Sequence, residues 1–272
     1  PKDGFEVVVI KTTGDRIQDR PLGEIGGKGL FTKEIEDALL DGSIDIAVHS
    51  MKDMPVEQPA GLVLDCYLPR EDVRDAFVSL KYASIADLPK GAKLGSSSLR
   101  RRAQIMHMRP DIEVVEFRGN VQTRLRKLEE GVADATFLAM AGLNRLGNAD
   151  VAQAAIEVDE ILPAIAQGAI GIEWRVDNSK MQMMLSVIAD KDTALRLAAE
   201  RALLKALDGS CQTPIGGLAT LDGDVLTLRG QILRPDGSDH VMDEIIGPAT
   251  DGPALGRKLA ATLLEKSDGN FF

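Results

Sequence analysis

The chain has 272 residues, of which 44% are hydrophobic and 27% charged, with a formal net charge of −10 at pH 7. That length buries roughly three quarters of the surface an unfolded chain exposes and accommodates two or three domains. The acidic balance argues against broad nucleic-acid binding, an aromatic content of 4% leaves no base-stacking platform, and no apolar run is long enough to cross a bilayer. No charged-then-apolar signal opens the chain. Cys66 and Cys211 lie far apart without metal-ligand spacing, so a reducing cytoplasm and no metal are expected.

In chain order, Phe5–Ile10 reads as a strand. A glycine-rich turn, Gly26-Gly27-Lys28-Gly29, precedes a helical stripe of Leu30, Phe31, Ile35, Ala38 and Leu39. Ile44–Val48 is a short strand running into His49-Ser50-Met51-Lys52-Asp53. Leu62–Leu64 and Ala76–Val78 are further strands, separated by a charged, proline-led connector at Pro69–Asp75 that is a candidate hinge. Lys93-Leu94-Gly95 then leads through three serines into a helix bearing Leu99, Ala103 and Met106. Val114–Phe117 reads as a strand, Asn120 as the cap of a helix with Val121, Leu125 and Leu128 on one face, and Ala135–Met140 as an apolar strand. This alternation predicts parallel sheets with crossover helices, whose ligands bind at the carboxyl ends of strands. The last third loses it. A stripe of Leu195, Ala199, Ala202, Leu203 and Ala206 is followed by strands near Gly217–Leu221 and Val225–Gln231. Hairpin turns at Asp222-Gly223 and Asp236-Gly237 and a helix opening near Pro253 complete an α+β unit.

Two arginine clusters stand out in this acidic chain. Ser96-Ser97-Ser98-Leu99-Arg100-Arg101-Arg102 and Phe117-Arg118-Gly119-Asn120-Val121-Gln122-Thr123-Arg124 each read as a loop entering a helix. Free backbone N–H groups and the helix dipole favour anions there, and guanidinium forks suit carboxylate or phosphate. Either cluster alone would also serve as a solvated basic face; two of one design point to a multi-anion pocket. Asp53 sits at a strand end before Met54-Pro55, where proline forces a shaped turn rather than a helix start. A lone turn aspartate is commonly a cap, but its place beside Ser50 and Lys52 suits chemistry. Lys28 fails the phosphate-loop pattern, because Leu22 occupies the first glycine position and Gly29 the hydroxyl position. Gln167, in Ala166-Gln167-Gly168-Ala169, lacks a dinucleotide fingerprint. His49 reads as a packed, hydrogen-bonding residue, and Cys66 as a structural cysteine. Cys211, in a loop dense with Gly and Pro, reads as an accessible nucleophile, with no histidine near in sequence to make a protease pair.

Taken together, Gly26–Phe31, Ala47–Asp53, Arg70–Asp72 with Asp75–Phe77, Gly95–Arg101, Arg118–Val121, Leu162-Pro163 with Gln167–Ala169, and Gly209–Gly216 resemble the porphobilinogen deaminase (hydroxymethylbilane synthase) family, in family order along nearly the whole chain. The resemblance implies two periplasmic-binding-protein-like α/β domains, 1–69 with 169–187 and 74–165, and a small α+β domain, 190–272. It implies a transferase that joins four porphobilinogens head to tail with loss of ammonia, primed by a dipyrromethane held through a thioether to Cys211. By match to the family, Lys28, Ser50, Lys52, Asp53, Ser96, Ser97, Ser98, Arg100, Arg101 and Gly119 would bind the cofactor, and Arg118, Arg124, Arg145 and Gln167 the substrate. Each pyrrole carries an acetate and a propionate, so a growing chain accumulates carboxylates that arginines hold. Loss of ammonia leaves a cationic azafulvene, which a fixed carboxylate stabilises before taking up the pyrrole proton; Asp53 is the candidate for both. The family also carries a further strand and helix ahead of the first residue here. A cytoplasmic monomer without nucleic-acid or membrane partners is expected. The competing reading is a non-catalytic two-lobed binder of a small organic polyanion, which gives Cys211 and the third domain no role.

Overall fold

Residues 4–12, 32–209, 213–267 and 271 are described by a computed structural model; Lys28 with its glycine turn and Cys211 lie outside the described residues. Helix α1 (Lys33–Leu40) sets Ile35 and Leu39 against Ala47 and Leu62 while its acidic first turn, Glu34 and Glu36, complements the helix dipole. Beneath it, β1 (Ile46–Ser50), β2 (Leu62–Tyr67) and β8 (Ile170–Arg175) form a sheet in the order β1-β8-β2, antiparallel at both pairings. Cys66, Ile172 and Trp174 pack with Leu185 of α2 (Ser179–Ser186). Residues 5–10, predicted as a strand, form none: they make no ladder pairing with a described strand, and Phe5, Val7, Val8 and Val9 face solvent. An apolar run becomes a strand only where an edge is there to satisfy its backbone.

The second lobe is built on a five-stranded sheet, order β5-β4-β6-β3-β7: β3 (Asp75–Ser79), β4 (Lys93–Gly95), β5 (Glu113–Val115), β6 (Ala135–Ala139) and β7 (Ala154–Ile156). Only β4 with β5 and β4 with β6 pair in parallel; β3 runs antiparallel to both neighbours. The expected parallel sheets are therefore corrected: the second lobe's sheet is mixed, and the described strands of the first pair antiparallel. Strands β8 and β3 arrive from the opposite lobe rather than through a local crossover helix, and so enter against the direction of their neighbours. Phe77, Phe137, Leu94 and Ile105 fill one cluster of this lobe, and Phe117, Val78 and Leu138 another. Two helices open toward the first lobe. In α3 (Leu99–Met108) the Ser98 hydroxyl accepts from Arg101 N at 3.4 Å, and in α4 (Val121–Glu129) Asn120 Oδ1 accepts from Thr123 N at 2.9 Å. The strand predicted through Phe117 ends at Val115, freeing Phe117 to bury its ring against Gly95, where any Cβ would collide with it. The strand predicted to Met140 ends at Ala139, and α5 (Met140–Leu146) follows at once.

The chain passes between lobes twice, at residues 68–74 and again ahead of β8, and the two passages are stitched together. Leu68 N donates to Ile170 O (3.0 Å) and Glu71 N to Gly168 O (3.2 Å), and Gln167 Nε2 donates to Val73 O (2.8 Å). The third unit pairs α6 (Lys191–Ala206) and α7 (Gly252–Lys266) over an antiparallel sheet of β9 (Ile215–Asp222), β10 (Val225–Leu233) and β11 (His240–Pro248). Its core, from Leu197 and Leu203 to Leu228 and Leu263, continues into Met51, Met54 and Ile165 beside the first lobe. Glu200, fully buried on α6, anchors this junction: it accepts from Arg70 Nη1 (2.6 Å), Ala166 N (2.7 Å) and Ala219 N (2.8 Å). Three elements distant in sequence thus converge on one carboxylate.

Candidate active site

Strand β1 delivers the residues of one wall. Its last residue leads into a single 3-10 turn, Met51–Asp53, pinned by Met51 N donating to Ala169 O at 3.0 Å. Pro55 prevents continuation, so Met51 turns into the core while Asp53 stays exposed. The Asp53 carboxylate makes no hydrogen bond or ion pair with a described residue. Its neighbour Lys52 has its pKa lowered by burial, an effect that Asp53 opposes and that Arg101 reinforces. His49, one turn before, points the other way: its Nε2 lies 2.9 Å from Oε2 of the fully buried Glu173, which fits the packed role read from sequence.

Facing Asp53 across a cavity of about 960 Å³ are the amino ends of α3 and α4. Arg100 and Arg101 both line it, yet neither is a free cation. Their Nη2 atoms donate to Asp75 Oδ2 (2.8 Å) and Oδ1 (2.7 Å), and their Nη1 atoms to the carbonyls of Leu162 and Phe137. Gln167 Nε2 donates to the same Asp75 Oδ1 at 2.8 Å. Burial by itself would raise the pKa of Asp75, but the Arg100 and Arg101 guanidiniums overcome it and hold the carboxyl well below its usual range. One carboxylate between two arginines leaves one positive charge over. The Nε atoms of both arginines and Oε1 of Gln167 are buried and find no partner among the described residues.

The second cluster lies on the turn into α4. Gly119, at φ +124°, takes a conformation that favours glycine, and Arg124 Nε donates back to its carbonyl at 2.9 Å. Burial, with Arg101 and Arg118 close by, pushes the Arg124 pKa down to about 10 against the pull of Glu116. Lys127 and Arg201 also line the cavity; Arg201 donates to the carbonyls of Pro55 and Val56. Among the described lining residues, Lys52, Arg100, Arg101, Arg118 and Arg124 join these two cations, and Asp53 is the sole carboxylate. Met51, Met54, Ile165, Leu204 and Ile215 supply apolar wall.

Of the residues singled out in sequence, the cavity brings together Lys52, Asp53, Ser97, Ser98, Arg100, Arg101, Arg118, Gly119, Arg124 and Gln167. It does not include Ser50, Ser96 or Arg145. Ser50 points outward from β1, on the opposite face from His49. Ser96 is buried, and its hydroxyl accepts from Ser98 N at 3.3 Å. Arg145 Nη2 donates to Gly168 O at 2.8 Å, so it braces the passage between lobes. The hydroxyls of Ser97 and Ser98 are engaged with Phe117 N and Arg101 N. Sequence reading missed Lys127 and Arg201 and gave Asp75 no task. A helical 3.6-residue count from Arg124 would have found Lys127; nothing local marks the other two.

A family model described as "Porphobilinogen deaminase, dipyromethane cofactor binding domain" matches residues 2–183, and one described as "Porphobilinogen deaminase, C-terminal domain" matches residues 194–265. A porphobilinogen deaminase from Paracoccus denitrificans is 66% identical over 270 residues, covering 99% of this chain and 86% of that protein. One from Nitrobacter hamburgensis is 53% identical, covering 98% and 84%. Among solved structures, a lipoprotein of the YaeC family from Enterococcus faecalis V583 superposes with a TM-score of 0.40 at 17% identity, over 64% of this chain and 80% of that one. With both family models matched and such identity along nearly all its length, the chain belongs to the porphobilinogen deaminase family.

Proposed function

We propose that Asp53 is the catalytic carboxylate of this chain, working opposite a wall of cations that grips the acidic pyrrole chain. The reaction is that of the family: four porphobilinogens are joined head to tail, ammonia is released, and hydroxymethylbilane results, in tetrapyrrole biosynthesis. The observation that carries the reading is the charge imbalance of the cavity, where among the described lining residues Asp53 is the sole carboxylate opposite seven basic side chains, of which Arg100 and Arg101 share the buried Asp75 behind them. Its volume of about 960 Å³ lies at the upper end of ordinary ligand pockets, which suits several linked rings better than one.

The residues present fit a dipyrromethane. Two buried guanidinium Nε donors suit its carboxylates, and the unpartnered Gln167 Oε1 suits a pyrrole N–H. When bound, that group supplies the nucleophilic pyrrole carbon from which the chain grows. Cys211 would hold it, and Lys52, Arg100 and Arg101 would orient its carboxylates. Thr213, two residues beyond Cys211, lines the same cavity. Arg118 and Arg124, at the amino end of α4, would receive the carboxylates of incoming porphobilinogen. As its aminomethyl group departs as ammonia, Asp53 stabilises the cationic azafulvene left behind. Once the new carbon–carbon bond has formed, Asp53 accepts the ring proton and restores aromaticity.

The acidic net charge and the sparse cysteines support a cytoplasmic monomer acting without nucleic acid or membrane. The competing expectation, a binder without chemistry, leaves Asp53 opposite the cations with nothing to do. Intact-mass measurement tests the reading: the purified protein carries a dipyrromethane-sized adduct that Cys211→Ser abolishes. Asp53→Asn retains the adduct and loses turnover by at least about 100-fold. An unmodified mass in active protein, or normal turnover in Asp53→Asn, refutes it.

A further inference from the structure

Lys127 has an unusual setting for a helix lysine. Its neighbour Arg126 behaves as a surface cation and pairs with Glu130 one turn on, at 3.5 Å. Lys127 instead turns to the cavity and has no carboxylate partner among the described residues. Its ammonium donates to the carbonyl of Arg118 at 2.9 Å and stands 5.5 Å from the centre of the Phe117 ring. That ring is fully buried against Gly95, and Phe117 N donates to Ser97 Oγ. Lys127 is therefore clamped to a rigid base rather than swinging on a flexible stem. Arg124, three residues earlier, grips the next carbonyl, that of Gly119. Two cations of α4 thus hold the backbone of the turn that presents Arg118, and they do so from inside the cavity.

An ammonium has three N–H donors, and the Arg118 carbonyl takes one. We propose that Lys127 positions Arg118 for substrate and offers its remaining donors to a carboxylate of the incoming pyrrole. The inference rests on the cavity being the reaction site. Cation–ring contact and a main-chain bond hold the ammonium in place, so little side-chain freedom is lost when the carboxylate arrives. The residue acts on binding, not on the proton transfers, which belong to the opposite wall.

The test compares Lys127→Met, Lys127→Gln and Lys127→Arg with the unchanged holoprotein by steady-state kinetics, intact mass and thermal melting. Lys127→Met keeps the priming adduct and its melting point within experimental scatter. It raises KM for porphobilinogen by about tenfold or more, the loss expected for one charge-assisted hydrogen bond, while kcat changes less. Lys127→Gln, which keeps a donor for the Arg118 carbonyl but no charge, folds as before and shows the same KM defect. Lys127→Arg, which keeps both charge and ring contact, restores KM. An unchanged KM in Lys127→Gln, or equal loss in Lys127→Arg and Lys127→Met, overturns the proposal. Absence of the adduct from the unchanged protein would instead overturn the reading of the cavity on which it rests.

Discussion

Asp75 decides what the two arginines after the serine run can do. Sequence marked Arg100 and Arg101 as ligand-binding cations because their type and their place at a helix start favour anions. Their own counter-ion lies 25 and 26 residues away, at the first position of β3, and no local pattern ties the two. The aspartate keeps both guanidiniums ordered beside the cavity, while their buried Nε groups find no partner among the described residues. Replacing it with Asn removes the charge while both arginines stay buried. Asp75→Asn is expected to lose about 3–5 kcal/mol of stability, measured by urea unfolding. The sign of the pH effect follows from the depressed carboxyl: its contribution is whole above the ordinary aspartate range and drains away as pH falls below it. Asp53 was legible for the opposite reason. Its neighbours in sequence, a strand end and a Met-Pro stop, are the features that leave it exposed.

At the scale of elements, capping and periodicity carried far. Asn120, the helix it opens and the hairpin read at Asp222-Gly223, whose loop falls one residue on at Gly223-Asp224, were all readable, because each depends on residues within one turn of one another. The passages between lobes were readable only as a charged connector. What holds them is contact between segments almost a hundred residues apart. Gly168 shows how tightly: at φ +86°, a Cβ there would stand 2.6 Å from the carbonyl oxygen of Glu71. Gly168→Ala therefore combines an unfavourable backbone conformation with a main-chain collision that no side-chain rotation relieves. A loss of about 2–4 kcal/mol is expected in chemical denaturation, with the Glu71–Gly168 bond as the first casualty. The same change at Gly131, which has φ +73° but open space around it, should cost only about 1 kcal/mol.

Across the whole molecule, the third unit is fastened to both lobes by different chemistry. Toward the first lobe and the passages, buried Glu200 receives Arg70 and two backbone N–H groups. Toward the second lobe, the turn at Gly237 rests on α3, with His107 Nδ1 3.0 Å from Gly237 O and the His107 and His240 rings 4.1 Å apart. Burial and His107 both lower the pKa of His240, against the pull of Asp239. The unfolded chain then takes up this proton more readily than the folded one. Stability should fall as pH drops through about 6.5 and level off below the folded-state value. Thermal melting followed from about pH 7.5 to about pH 5.5 checks this, and the decline should be shallower in His240→Gln. The sequence by itself determined most helices and strands, the α/β-then-α+β succession and the residue types gathered in the cation-lined cavity, because these depend on near neighbours and side-chain chemistry. Only the tertiary structure decided strand direction, the lack of pairing between residues 5–10 and the described strands, the pairing of Arg100 and Arg101 with Asp75, and the turning of Lys127 inward. Each of those is settled by which distant backbone or charge a residue meets once the chain has closed on itself.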